Sequence, residues 1–282
     1  MPVAVVTDST AYLPGELVAE HGIEVVPLYV VLGDRSGREG EDISPEDVAR
    51  ALSGRRQRVS TSRPTPGDLA AAYRRRLADG ADAIVSVHIS AELSGTWDAA
   101  RLAAAEVGED VVRVLDSRSA AMGAGFAVLA AARAARDGGD LDAVADAARD
   151  TAAGTRTLFV VDTLEHLRRG GRIGSAASWL GTALAVKPLL HVADGAVVPL
   201  EKVRTSTRAL ARLVHLVTET AGDRPVTLAV HHLAAPERAE RLADQLRESV
   251  VDVQDVLVSE LGAAIGAHVG PGAVGVVVSP AP

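Results

Sequence analysis

The sequence predicts an α/β fold in two domains, with a largely parallel sheet in the first and a mixed α/β arrangement in the second. Short apolar runs alternate with helical segments rich in Ala, Leu and Arg, the pattern of βαβ units around a parallel sheet. At 282 residues, with 48% hydrophobic content, the chain can fill two cores. After Pro188 two apolar runs flank Asp194-Gly195, a hairpin signal that marks the second half as differently built.

The elements follow in order. Residues 3–6 open as a strand, and Pro14 and Gly22 bracket a helix by the rule of proline inside the start and glycine past the end. Residues 23–32 read as one further strand. Ser44-Pro45-Glu46-Asp47 opens a helix, and Thr65-Pro66-Gly67-Asp68 is a capping signal for another that runs to about Asp79 and stops at Gly80. Residues 83–87 and 111–115 are buried-strand candidates, each followed by polar loop residues and a helix. Two helices between Gly123 and Thr151 precede a strand over 157–161, and residues 189–193 and 196–200 form the hairpin. With hinge points at Gly138-Gly139 and Gly154, the domain boundary is placed near 155, giving domains 1–155 and 156–282. The second contains a glycine-rich segment from Gly262 to Gly275 whose one polar side chain is His268. That density of glycine suits a turn between two strands, with the histidine either a core residue or the functional group of the loop.

Composition excludes several classes. A net charge of −8 argues against a polyanionic partner, so nucleic acid is not expected, and Arg55-Arg56 and Arg74-Arg75-Arg76 read as solvated edges. The absence of cysteine removes disulfides, zinc-thiolate sites and thiol nucleophiles. No run approaches the ~18 apolar residues that span a bilayer, and no basic leader precedes the first strand, so a cytoplasmic protein is expected. No Walker loop, no Gly-x-Ser-x-Gly elbow and no His-Glu-x-x-His pair is present. His231-His232, His166 and His191 lack companions at ligand spacing, so no metal site is expected.

Hydroxyl-rich segments sit where apolar strands end: Thr7-Asp8-Ser9-Thr10, Ser60-Thr61-Ser62, Ser90 to Thr96, and Asp116-Ser117. Ligands of α/β sheets collect at the carboxyl ends of strands. Ser94-Gly95-Thr96 should start a helix, where free amides and the helix dipole favour a carboxylate or phosphate. Ser94 as an ordinary N-cap fits the segment equally. Arg168, Arg169 and Arg172 bracket a diglycine, and Arg172 is the one placed to neutralise an oxyanion. Asp8 follows the first strand without a second aspartate two positions on, and reads as a residue that fixes its loop.

Taken together, Val6-Thr7-Asp8-Ser9-Thr10, Thr61-Ser62-Arg63-Pro64-Thr65, Leu93-Ser94-Gly95-Thr96, Gly170-Gly171-Arg172-Ile173, Lys187-Pro188-Leu189, Glu201-Lys202-Val203-Arg204-Thr205 and Gly266-Ala267-His268-Val269-Gly270-Pro271-Gly272 resemble the DegV family, the FakB-type fatty-acid-binding proteins of bacteria. Arg63 stands where that family usually has Gln. The resemblance implies a protein that holds one long-chain fatty acid in a tunnel between its two domains, the carboxylate bonded by Thr61 and Ser94 in a seat that includes Ser62, Gly95 and His268. It implies no catalytic residue, no metal and no cofactor beyond the bound lipid. A separate ATP-dependent fatty acid kinase, related to dihydroxyacetone kinases, would make the acyl-phosphate that feeds phospholipid synthesis. Arg172 and His268 would offset the charge of that product. Lys202 and Arg204 would face the kinase, unless they are simply a solvated helix start. A transient membrane contact is compatible with this role. Two other classes stay open: an acyl hydrolase or transferase with Ser94 as nucleophile and His268 as base, and a lipid sensor or store without a catalytic partner.

Overall fold

The computed structural model describes residues 2–54, 58–179 and 186–282. The chain divides into two compact units, Met1–Tyr29 with Ser62–Gly154, and Val30–Thr61 with Thr155–Pro282.

In the first unit four parallel strands form one sheet, in the order Glu24–Val26, Val3–Asp8, Ala83–His88, Val112–Asp116. Val3–Asp8 and Ala83–His88 are buried at every position, as a parallel sheet covered on both faces requires. Leu69, Tyr73, Ala99 and Ala103, from helices Pro66–Ala78 and Thr96–Val107, pack with Ala4, Val6 and Ile84 of the sheet. Helices Met122–Arg136 and Leu141–Gly154 pack on the sheet and on each other. Pro66–Ala78 starts where expected because the capping box closes: Thr65 Oγ1 accepts from Asp68 N at 3.1 Å and Asp68 Oδ2 from Thr65 N at 2.9 Å. Arg74, Arg75 and Arg76 pair with Glu106, Glu24 and Asp79 on exposed ground, whereas Arg55 and Arg56 lie outside the described residues.

In the second unit a six-stranded mixed sheet has the order Ala196–Val203, Lys187–Ala193, Arg156–Val160, Val274–Pro280, Val226–His232, Val253–Glu260. Its pairs are antiparallel except the last, Val226–His232 with Val253–Glu260. Helices Ser206–Ala221 and Pro236–Ser249 bury Leu213, Val217, Leu242 and Leu246 against Val160, Leu189, Leu228 and Val276. Asp194 and Gly195 have φ of 50° and 83°, the two positive values that a type I′ turn needs. A three-stranded sheet, in the order Arg35–Arg38, Tyr29–Leu32, Val59–Ser62, and helix Pro45–Ser53 complete the described excursion over residues 30–61.

Three expectations need correction. The strand expected over 23–32 is two strands, Glu24–Val26 and Tyr29–Leu32, in different sheets; Pro27 between them has no N–H for a ladder. Residues 30–61, expected within a continuous first domain of 1–155, group with the second unit. The physical reason is local: Pro45–Ser53 packs against helix Ala263–Val269, and both Glu39 and Thr61 hydrogen-bond to that helix. Finally, His268 stands on that seven-residue helix rather than on a loop, and the turn proper is Gly270-Pro271-Gly272, with φ of 78° and 83° at its glycines.

Candidate functional site

In the second unit Thr61 lies near the end of strand Val59–Ser62, and its Oγ1 is 2.8 Å from His268 Nε2. Burial, and then the nearby charge of Arg172, push the His268 pKa down to about 4, so the imidazole is neutral at neutral pH. Its Nδ1 is buried and has no hydrogen-bond partner. Gly170 packs so closely on that side of the ring that a Cβ there would overlap Nδ1 and Cε1. An orphaned acceptor costs less than an orphaned N–H, so the proton belongs on Nε2, donated to Thr61. The Thr61 hydroxyl hydrogen is thereby left for another acceptor.

Arg172 is exposed, with Nη1 donating to Gly170 O at 2.7 Å and its backbone N to Leu167 O at 3.0 Å. The arginine and His268 therefore meet around the same diglycine. Arg168 and Arg169 are taken up by Glu165, at 2.7 and 2.8 Å. Lys202 extends over the Trp179 ring, 5.0 Å from its centroid, and Arg204 is exposed between strand Ala196–Val203 and helix Ser206–Ala221.

In the first unit Gly95 is the N-cap of helix Thr96–Val107, and Ser94 stands one residue ahead of it. Ser94 Oγ accepts from Thr96 N at 3.3 Å and lies 2.8 Å from Thr96 Oγ1. The Arg63 guanidinium covers Gly95, where a Cβ would collide with it. A cation at the positive end of a helix is unfavourable by itself and favourable once an anion sits between them. Ser62 is exposed, its Oγ donating to Arg63 O at 3.4 Å.

The sequence reading missed a second polar system in this unit. Asp8, 1% exposed, accepts from Thr10 N at 3.1 Å, from Ile89 N at 3.0 Å and from His88 Nδ1 at 3.0 Å. Burial would raise its pKa, but the His88, Thr10 and Ile89 bonds outweigh that and hold the carboxyl below its usual range. His88 Nε2 then accepts from Ser86 Oγ at 2.7 Å, and Ser86 from Tyr73 OH at 2.9 Å. This Asp-His-Ser chain has the order of a hydrolytic triad, but Ser86 is 0% exposed and closed off by Tyr73. Its signal in the sequence was Ser86-Val87-His88, polar residues alternating within an apolar strand. Asp8 does fix its loop, as read.

Among the described residues no group of three or more His, Cys, Asp or Glu could hold a metal ion, and no helix is long and apolar enough to cross a membrane.

The family model described as "Uncharacterised protein, DegV family" matches residues 2–281. The chain belongs to the DegV family. A DegV domain-containing protein of Streptomyces coelicolor is 57% identical over 277 residues, 98% of each chain. Among solved structures, the DegV family protein of Thermus thermophilus, described as fatty-acid binding, superposes with a TM-score of 0.95 at 35% identity over 100% of both chains. DegV of Bacillus subtilis, described as a fatty acid binding protein, gives 0.90 at 34% identity, also over 100% of both. The α/β fold, parallel in its first unit and mixed in its second, is thus that of fatty-acid-binding DegV structures.

Proposed function

We propose that this DegV protein binds one long-chain fatty acid and presents its carboxylate to an ATP-dependent fatty acid kinase, which converts it to an acyl-phosphate. The observation that carries the binding step is the full-length likeness to the Thermus thermophilus fatty-acid binder. Burying a sixteen-carbon chain contributes about 12 kcal/mol gross, at roughly 0.8 kcal/mol per methylene, before ordering costs. The carboxylate must also be satisfied. The Thr61 hydroxyl, polarised by His268, and the Ser94–Gly95 segment with Ser62 beside Thr61 are the donors assigned to it. Arg63, over Gly95, adds a charge that a glutamine would not.

The division of labour follows from what each group can carry. His268, neutral at pH 7, serves the carboxylate through Thr61 as a hydrogen-bond donor rather than as a counter-charge. Arg172 keeps a full charge for the acyl-phosphate dianion, as arginines do in other phosphoryl transfers. ATP and magnesium belong to the partner, and Lys202 and Arg204 are the assigned docking residues. A hydrolase built on Ser94 and His268 is disfavoured by the partners present: among the described residues no carboxylate bonds the imidazole, whose Nδ1 is orphaned.

The test is reconstitution of acyl-phosphate formation from ATP, oleate, kinase and this protein. Arg204→Ala should keep oleate binding and lower the rate at subsaturating protein. An unchanged rate removes the docking role, and ester hydrolysis by the protein alone that disappears in Ser94→Ala would replace the binding reading with an enzyme.

A further inference from the structure

Helix Ala263–Val269 has no cap of its own, because its N-cap is Gly262, which offers no side chain to the first-turn amides. An acceptor arrives from far away in sequence. Glu39 Oε1 accepts from Ala264 N at 2.7 Å, and Glu39 is only 6% exposed. A carboxylate at that end of a helix also meets the positive end of its dipole. Ala264 and His268 are four residues apart and so lie one above the other on the same face. Segment 30–61 therefore engages that face at both ends, with Glu39 on Ala264 and Thr61 on His268. Leu233 packs against Gly266, Gly170 against the His268 ring and helix Pro45–Ser53 against the helix as a whole, and Glu39 and Thr61 add directed polar bonds to that packing.

We propose that Glu39 is a positioning residue for His268: its buried carboxylate sets the rotation of helix Ala263–Val269 so that Nε2–H meets Thr61 Oγ1. Its functional meaning rests on the fatty-acid reading, since the orientation frees the Thr61 hydroxyl hydrogen for a ligand carboxylate. The geometry itself does not depend on that reading. Arg172 is the charged group that acts on the ring, and it belongs to a different segment that Glu39 does not hold.

The test uses the full chain, stripped of lipid and labelled with 15N, with the imidazole nitrogens followed by long-range correlation spectra across pH. In the wild type His268 should show the Nε2–H tautomer and a low titration midpoint. In Glu39→Ala the tautomer preference should weaken and the midpoint rise by about one unit or more toward the ordinary histidine value. Glu39→Gln, which keeps a carbonyl acceptor, should shift it less. His231, buried in strand Val226–His232 of the same unit, should keep its own midpoint in both. A His268 that does not move in Glu39→Ala overturns the proposal, and so does a His231 that moves in step with it in both variants, because Glu39 would then merely support the fold. If the alanine variant does not fold, the glutamine variant decides: a shift of His268 alone supports the role, and no shift or a joint shift removes it. No lipid or kinase enters these spectra, so their failure leaves the fatty-acid reading to its own test.

Discussion

A hydrogen bond to a charged group contributes roughly 1.5–3 kcal/mol, so Ser94→Ala is expected to weaken oleate retention about tenfold or more in a competition assay. His268→Ala should weaken oleate retention less than Ser94→Ala does, because on the proposed reading the imidazole orients the Thr61 hydroxyl and Ser94 bonds the carboxylate itself. Equal losses of affinity in the two variants would place the ring against the ligand itself. Thr61, Ser94 and His268 could be singled out in the sequence because each sits in a short run of glycines or hydroxyls, and the Thr61–His268 pair is the contact that the structure adds. Glu39 was not legible. It is one of three carboxylates in a charged stretch, with Glu41 and Asp42 just after it, and its partner Ala264 is 225 residues away. His88 escaped for a similar reason: its partner Asp8 lies 80 residues distant, across two paired strands.

Capping decides where the helix after the second hydroxyl loop begins. Thr65→Ala removes the acceptor for Asp68 N and should lower the unfolding free energy by about 1 kcal/mol in urea titration, without altering oleate affinity. Strand Val226–His232, flanked on both sides in its sheet, carries a stronger pH signature. Burial pushes the His231 pKa down to about 4, against an ordinary value near 6.5. Between these values the unfolded chain binds more protons than the folded one, so stability falls as pH falls. The contribution, about 3 kcal/mol for a shift of that size, is complete above pH 6.5 and exhausted near pH 4. His268 adds to the loss in the same window. Urea midpoints that stay level from pH 7 to pH 4.5 would contradict this. Elements with a clear start signal, such as Pro66–Ala78 and the Asp194-Gly195 hairpin, were readable because their caps and turns are local. The break at Pro27 and the short helix under His268 were not. One is a pause between strands of different sheets, and the other packs Gly and Ala against Leu233 and helix Pro45–Ser53, a tertiary stabilisation that no residue of the segment announces.

At the scale of the molecule the second unit takes back residues 30–61 from the first half of the chain. A boundary drawn along the sequence could not express that, since composition changes little across Tyr29 or Thr61 and the grouping comes from what the excursion binds. The excursion delivers both Glu39 and Thr61 to the helix that bears His268, and the proposed carboxylate seat draws on that arrangement. The α/β class was readable from the alternation of apolar runs and helices, and membership of the DegV family rests on a match over residues 2–281. The central claim is that this protein carries a fatty acid. Native mass spectrometry of the purified chain, followed by denaturing lipid extraction, tests it most directly. The account predicts one acyl chain per protein, exchangeable for added oleate or palmitate; an extract free of acyl species, together with no uptake of either acid, would contradict it.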